Sequence, residues 1–403
     1  GVFATFDAGK AWHKLSGGMP TISIRDIQIQ RRENDLVAAS FGRGFFVMDD
    51  YTALRDIDPD DLDASAALFT PRDAYWYFQK RPLGYRPKGS QGDSLYLAEN
   101  PPFGSVFTYY LADSFKTQKQ ARQAAEAATK KAGDDVSFPG WREVTYETQE
   151  QKPEVMLVIH DNDGNVLRRV SAPNKAGLNR VAWDLRRSFS GPVETGKNWR
   201  GDSPSGFMVM PGSYQAKLVV VQNGVEQTLA GPVNFNVKQL REGVLPGSSL
   251  DELEAFTAEL NTLYGQSSAV RYAIRDARKS LDKIVTMIER MANPTPDAHA
   301  QVHKLLRELY DIEETVFGND VQADIGGYEP MSVSSWLGHA MRGVSNSSYG
   351  PTPSHRQSVE HAKTVFVPAK RRLDDVVQKR LPALREALRD AGAPWTVGEP
   401  IAE

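Results

Sequence analysis

The hydrophobic pattern of this chain changes period once, near Gly243, and that change limits the fold more than any other feature. Before it, apolar side chains alternate in short runs, as in SVFTYYL over 105–111 and SYQAKLVVVQ over 213–222, the spacing of strands with one buried face. After it they recur at three and four, as in Leu250, Leu253, Phe256, Leu260 and Leu263, the spacing of helices with one buried stripe. One chain therefore carries a β-rich part followed by a helical part. Its 403 residues exceed what a single core organises, so a multidomain chain of two to four domains is expected.

Composition narrows the function classes. With 40% hydrophobic and 25% charged residues and a formal charge of −3, the chain has no field strong enough to recruit nucleic acid, and none is expected as a partner. Cysteine is absent, which excludes thiol nucleophiles, thiolate zinc sites and disulfides and leaves the redox compartment open. No apolar run approaches the roughly 18 residues of a membrane span.

The first 50 residues read as five short strands, at 2–6, 11–15, 22–30, 36–41 and 45–48. Between the first two, Asp7-Ala8-Gly9-Lys10 is a tight turn in which Asp accepts from downstream amides and Gly takes positive φ. The stretch TFDAGKAW, Thr5 to Trp12, resembles the Asp-box, [ST]-x-D-x-G-x-[ST]-W, with Ala11 in the last Ser/Thr place; Thr5, Asp7, Gly9 and Trp12 are its structural residues. The flanks IRDI, DLVAAS and FGRGFFVMDD are similar to the last blade of bacterial Asp-box β-propellers, the neuraminidase-repeat (BNR) and sortilin-like group often labelled "glycosyl hydrolase". The resemblance covers residues 1–75. It implies that the Asp turns into the turn backbone, that the Trp packs between blades, and that the protein is exported, periplasmic or secreted. A closed propeller has at least four blades. The chain opens on the outer hairpin of one blade, so a missing N-terminal propeller part, cut away or present as a separate chain, is the expected partner.

Residues 1–75 are assigned to the last blade or blades; YTALRDIDPDDLDASAALFTPRDAYWYF, 51–78, reads as a connector in which Leu54, Ile57, Leu62 and Leu68 pack down on the sheet, and 76–102 as a linker rich in Gly and Pro. Tyr75, Trp76, Tyr77, Phe78, Tyr85 and Tyr96 form either a sugar-stacking platform or an aromatic layer buried between domains. Residues 103–242 carry six or seven β runs and read as a β-sandwich. AGLNRVAWDLR, with Trp183, and MPGSYQAKLVV, with Pro211, Gly212 and Tyr214, resemble the immunoglobulin-like domain of flagellar hook-capping proteins, which implies core roles for Trp183 and Tyr214. An exposed helix over 113–135 interrupts this region, SFPGWREVTYETQEQ leads back to the sheet, and a second long loop surrounds Trp199. Residues 243–403 read as an antiparallel helical bundle. Ser249 caps a long helix ended by Pro294 and Pro296, a return helix runs over 297–317, a short one over 333–344, and a last one over 354–391 should bend at Pro368 and Pro382.

Candidate chemistry is sparse. Asp161-x-Asp163-x-Asn165 lacks a Gly at the sixth loop position and a Glu at the twelfth, which is Ala172, so the turn is not assigned to calcium. His299 and His303 have the i, i+4 spacing of helical metal pairs, but Ala300 stands where such motifs carry Glu and no third ligand is evident. The loops DIGGYEPMS and GVSNSSYGPTPSHRQ serve as turns over the bundle end or as binding loops. A glycosidase needs two carboxylates facing across a bond; Asp26, Asp49 and Asp50, with Arg25 and Arg43, are the only such groups near propeller edges, and each is explained by strand-end hydrogen bonding. No catalytic, cofactor-binding or metal-binding residue is assigned. The expected function is a noncatalytic set of modules binding protein or glycan partners; the alternative is the C-terminal part of a glycoside hydrolase or other hydrolase whose active site lies in the missing blades.

Overall fold

The computed structural model describes residues 1–15, 17–80, 89–193, 205–293, 295–327 and 330–396. Tyr85, Trp199, Pro294 and Tyr328, named above, lie outside the described residues. The chain divides into two compact units, one of residues 1–188 with 208–242 and the other of 189–207 with 243–403. It is thus multidomain, with strands in several sheets followed by a helical region.

The first unit opens with strands β1 (Val2–Ala4) and β2 (His13–Leu15), an antiparallel hairpin, followed by a three-stranded antiparallel sheet of β3 (Ile24–Gln30), β4 (Asp35–Ser40) and β5 (Phe45–Met48) with β4 in the middle. The next segment is more ordered than a connector. Helices α1 (Thr52–Arg55) and α2 (Pro59–Asp63) place Ala53 and Ile57 in a small core with Phe69, against which Phe6, Leu54, Leu62 and Tyr110 pack. Strands β6 (Ala66–Leu68) and β7 (Ala74–Trp76) then follow.

Two sheets make the rest of this unit. One has the order β11-β8-β6, with β8 (Ser105–Leu111) and β11 (Gly177–Trp183). The other has the order β10-β9-β14-β15-β7, with β9 (Glu154–His160), β10 (Val166–Ala172), β14 (Gly212–Gln222) and β15 (Val225–Gln239); short strands β12 (Arg186–Ser188) and β13 (Ser205–Met208) lie between β11 and β14 in the chain. So β6 and β7 belong to these sheets. Isolated three-residue runs carry too little periodicity to show which sheet they join. Phe107 of β8 meets Phe235 of β15 edge-on at 5.0 Å, and Trp183 of β11 meets Tyr214 and Phe235 at 5.8 and 5.9 Å, so the inner faces of the two sheets share one core. Trp183 is fully buried and satisfies its indole N–H by donating to the Arg186 carbonyl at 2.9 Å. The Tyr214 hydroxyl donates to the Met210 carbonyl at 2.6 Å.

The expected helix at 113–135 is a helical hairpin. Helix α3 (Gln118–Ala132) starts at a capping box between Thr117 and Gln120, and α4 (Trp141–Gln149), read from sequence as a lead back to the sheet, packs beside it. Arg122 holds the pair, its Nε and Nη2 donating to the two Glu147 oxygens at 2.6 and 2.7 Å. That contact across 25 residues is what a short helix with no buried residues lacks in its own sequence.

In the second unit α5 (Leu250–Glu289) begins where the sequence placed it: the Ser249 hydroxyl accepts from the Glu252 N–H at 3.2 Å and Glu252 accepts from the Ser249 N–H at 3.1 Å. Its stripe, including Leu253, Phe256, Leu260, Ile274 and Leu281, is buried. Helices α6 (Ala298–Phe317), α7 (Asp320–Asp324), α8 (Val333–Ser345) and α9 (Pro353–Asp375) follow. Helix α9 continues through Pro368. Helical geometry widens over Val376–Arg380, where the Leu381 N–H bonds the Val376 carbonyl in a five-residue step, and α10 (Leu381–Asp390) restarts with Pro382 in its first turn. Placing proline just after a widened turn spares the hydrogen bond that its ring would otherwise break.

Candidate functional site

The hairpin between β1 and β2 is built by local chemistry. The Thr5 hydroxyl donates to Asp7 Oδ1 at 2.8 Å, the Gly9 N–H donates to Thr5 Oγ1 at 2.8 Å, and the Ala11 N–H donates to the same Asp7 oxygen at 2.9 Å. Gly9 takes φ +97°, a conformation that L side chains resist. The Ala11 amide first, and then the Thr5 hydroxyl, hold the Asp7 carboxyl below its usual value. Trp12, which the resemblance would pack between blades, is 62% exposed.

The β3-β4-β5 sheet carries apolar side chains on both faces, with Asp26, Gln28 and Gln30 of β3 on one of them. Cross-strand partners share a face, so Ile27, Ala38 and Phe46 lie together with Ile29, Leu36 and Met48, while Val37 and Val47 lie with Ala39 and Phe45 on the other side. Only Ala38 of these is fully buried; Phe45 is 75% exposed, Val47 54% and Ile29 49%. Phe41, stacked under the Arg25 guanidinium at 4.7 Å, and Phe3 are exposed as well. Exposed apolar side chains on a three-stranded sheet, with no further strand on β3 or β5 among the described residues, make a surface that normally carries something else.

A scan against protein-family models and searches of curated proteins and of solved structures found no match. The functional reading accordingly rests on the residues themselves.

The acids considered near this sheet do structural work. Asp26 accepts from the Ile27 N–H at 2.9 Å and from the Gln28 amide at 3.1 Å. The Arg180 guanidinium of β11 donates to the backbone carbonyls of Asp49 and Asp50, and Arg72 pairs with Glu33 at 2.8 Å and approaches Asp50 at 3.5 Å. Burial first, and then the charge of Asp35, raise the Asp49 pKa, against the pull of Arg180 and Arg72. These contacts tie the small sheet to the larger β region across 130 residues, a link that no sequence motif announced. Arg43 is exposed.

The other candidates are likewise accounted for. Asp161 Oδ1 accepts from the Asp163 and Asn165 N–H groups at 3.0 and 2.8 Å, so the calcium-like spacing forms an Asx turn. His299 and His303 are both exposed on α6, and no group of three or more metal-ligating side chains occurs among the described residues. The aromatic set disperses: Trp76 is buried and edge-on to Phe78, Tyr77 meets Phe103, and Tyr96 stands in solvent. A Ser–His contact that sequence reasoning missed joins His339 Nδ1 of α8 to Ser358 Oγ of α9 at 3.0 Å. The same buried hydroxyl also lies 2.9 Å from the Ser354 carbonyl, to which it donates, so Ser358 links α8 to the first turn of α9. No helix of the described residues is long and apolar enough to cross a membrane.

Proposed function

We propose that this chain is the C-terminal part of an exported Asp-box propeller protein, in the periplasm or outside the cell, and that it serves as a noncatalytic set of modules for protein or glycan partners. The observation that carries the reading is the sheet β3-β4-β5, whose exposed Ile27, Ile29, Phe45 and Val47 match what a blade presents to the neighbouring blades of a ring. Each such side chain contributes roughly 1.5–3 kcal/mol when fully covered, so the surface favours occupancy by further β-blades. The hydrogen-bonded turn at Thr5, Asp7 and Gly9 supports the same reading. In the larger β region, the buried Trp183 and Tyr214 and the turn at Pro211-Gly212 support an immunoglobulin-like sandwich, and the C-terminal unit supports a helical bundle that caps the chain.

Fluorescence of the dye ANS tests the surface. The chain alone should bind ANS, and Phe45→Glu combined with Val47→Glu should remove most of the signal while leaving far-ultraviolet circular dichroism unchanged. No dye binding, or equal binding by the double variant, would remove the support for a blade face.

A further inference from the structure

Where β8 leaves its sheet and α3 begins, the first unit holds a cavity of about 390 Å³, within the size range of small-molecule sites. Lys116 and Lys152 line it, with Ser114, Gln120, Phe115 and Pro153. No carboxylate lines it, and neither lysine has an ion-pair partner among the described residues.

The walls are fixed before any ligand arrives. Asn174 clamps Phe115 at both backbone groups, accepting from its N–H at 2.8 Å and donating to its carbonyl at 2.9 Å. Gln222 donates to the Lys116 carbonyl at 3.0 Å. The capping box at Thr117 occupies the Gln120 side-chain oxygen at 3.0 Å, leaving its NH2 group as the polar end of that side chain. The start of α3 is already taken by Glu150, which accepts from the Gln118 N–H at 2.7 Å, so the helix end is not the anion site.

We propose that this cavity binds a carboxylate-bearing sugar, such as a uronic acid at the end of a glycan. Two ammonium groups with no ion-pair partner among the described residues line one cavity and favour an anion there. The Phe115 ring and Pro153 supply an apolar wall for the C–H face of a pyranose, and the Ser114 hydroxyl and Gln120 amide supply partners for ring hydroxyls. The assignment deepens the binding-module reading and rests on it, since the cavity lining holds no carboxylate pair or activated nucleophile for hydrolysis.

Titration calorimetry with glucuronate, with glucose as the neutral counterpart and inorganic sulfate as the plain anion, tests it on the whole chain. Glucuronate should bind, glucose should not compete, and sulfate should bind more weakly. Lys116→Met with Lys152→Met, both exposed positions, should weaken glucuronate at least about tenfold with an unchanged thermal midpoint. Equal affinity for glucose or for sulfate, or undiminished binding by the double variant, would overturn the acidic-sugar assignment while leaving the module reading standing. Release of nitrophenol from nitrophenyl glucuronide by the chain would instead overturn the noncatalytic reading.

Discussion

Gly104 shows how strictly single positions are held. Its φ is +106°, and a Cβ built there would lie 1.9 Å from the Trp183 carbonyl oxygen, at the strand end that delivers Trp183 to the core. Gly104→Ala therefore combines a disfavoured backbone conformation with a backbone clash, and should cost about 3 kcal/mol, read as a lowered denaturant midpoint with unchanged slope. Residues like this divide what is legible in a sequence from what is not. The Asp7 and Gly9 turn was readable because all its hydrogen bonds close within seven residues. The clamp of Phe115 by Asn174 and the grip of Arg180 on Asp49 and Asp50 were not, because their partners lie 59 and 130 or more residues apart and nothing in either local sequence specifies the other. Trp12 was assigned a buried role from resemblance, and it is exposed.

Among the elements, long and strongly periodic ones were placed well. The start of α5 follows from the Ser249 and Glu252 capping box, and its buried stripe from spacing alone. Helix α4 was missed because it buries no residue and is held by Arg122 across the hairpin. The start of α9 carries a pH dependence. His355 Nδ1 accepts from the Thr352 N–H at 3.2 Å, its ring lies 4.9 Å from that of His339 on α8, and burial first, and then the charge of His339, lower its pKa below 6.5. The unfolded chain thus takes up the proton before the folded one does. The stabilising contribution is complete above pH 6.5 and is lost as the pH falls from 6.5 through the lowered folded-state value. The thermal midpoint of the helical unit should drop as the pH falls below 6.5, and His355→Gln, which retains a capping acceptor at the same position, should flatten that drop. An unchanged pH profile in the variant would remove His355 as the cause.

At the scale of the whole molecule, the switch in period at Gly243 coincides with a division of the structure into a β-rich unit and a helical one. What the pattern left undetermined was sheet membership: β6 and β7 join the larger sheets because pairing is decided by partners far along the chain rather than by alternation within a three-residue run. The central claim is that the apolar faces of β3-β4-β5 are an interface for further blades. Native mass spectrometry of the untagged gene product, isolated from its own cells, tests it most directly. The account predicts a species heavier than these 403 residues account for, with further Asp-box strands that protect the amides of Ile24–Gln30 and Phe45–Met48 from exchange. A homogeneous species of 403 residues, with Phe45 and Val47 open to solvent, would contradict it.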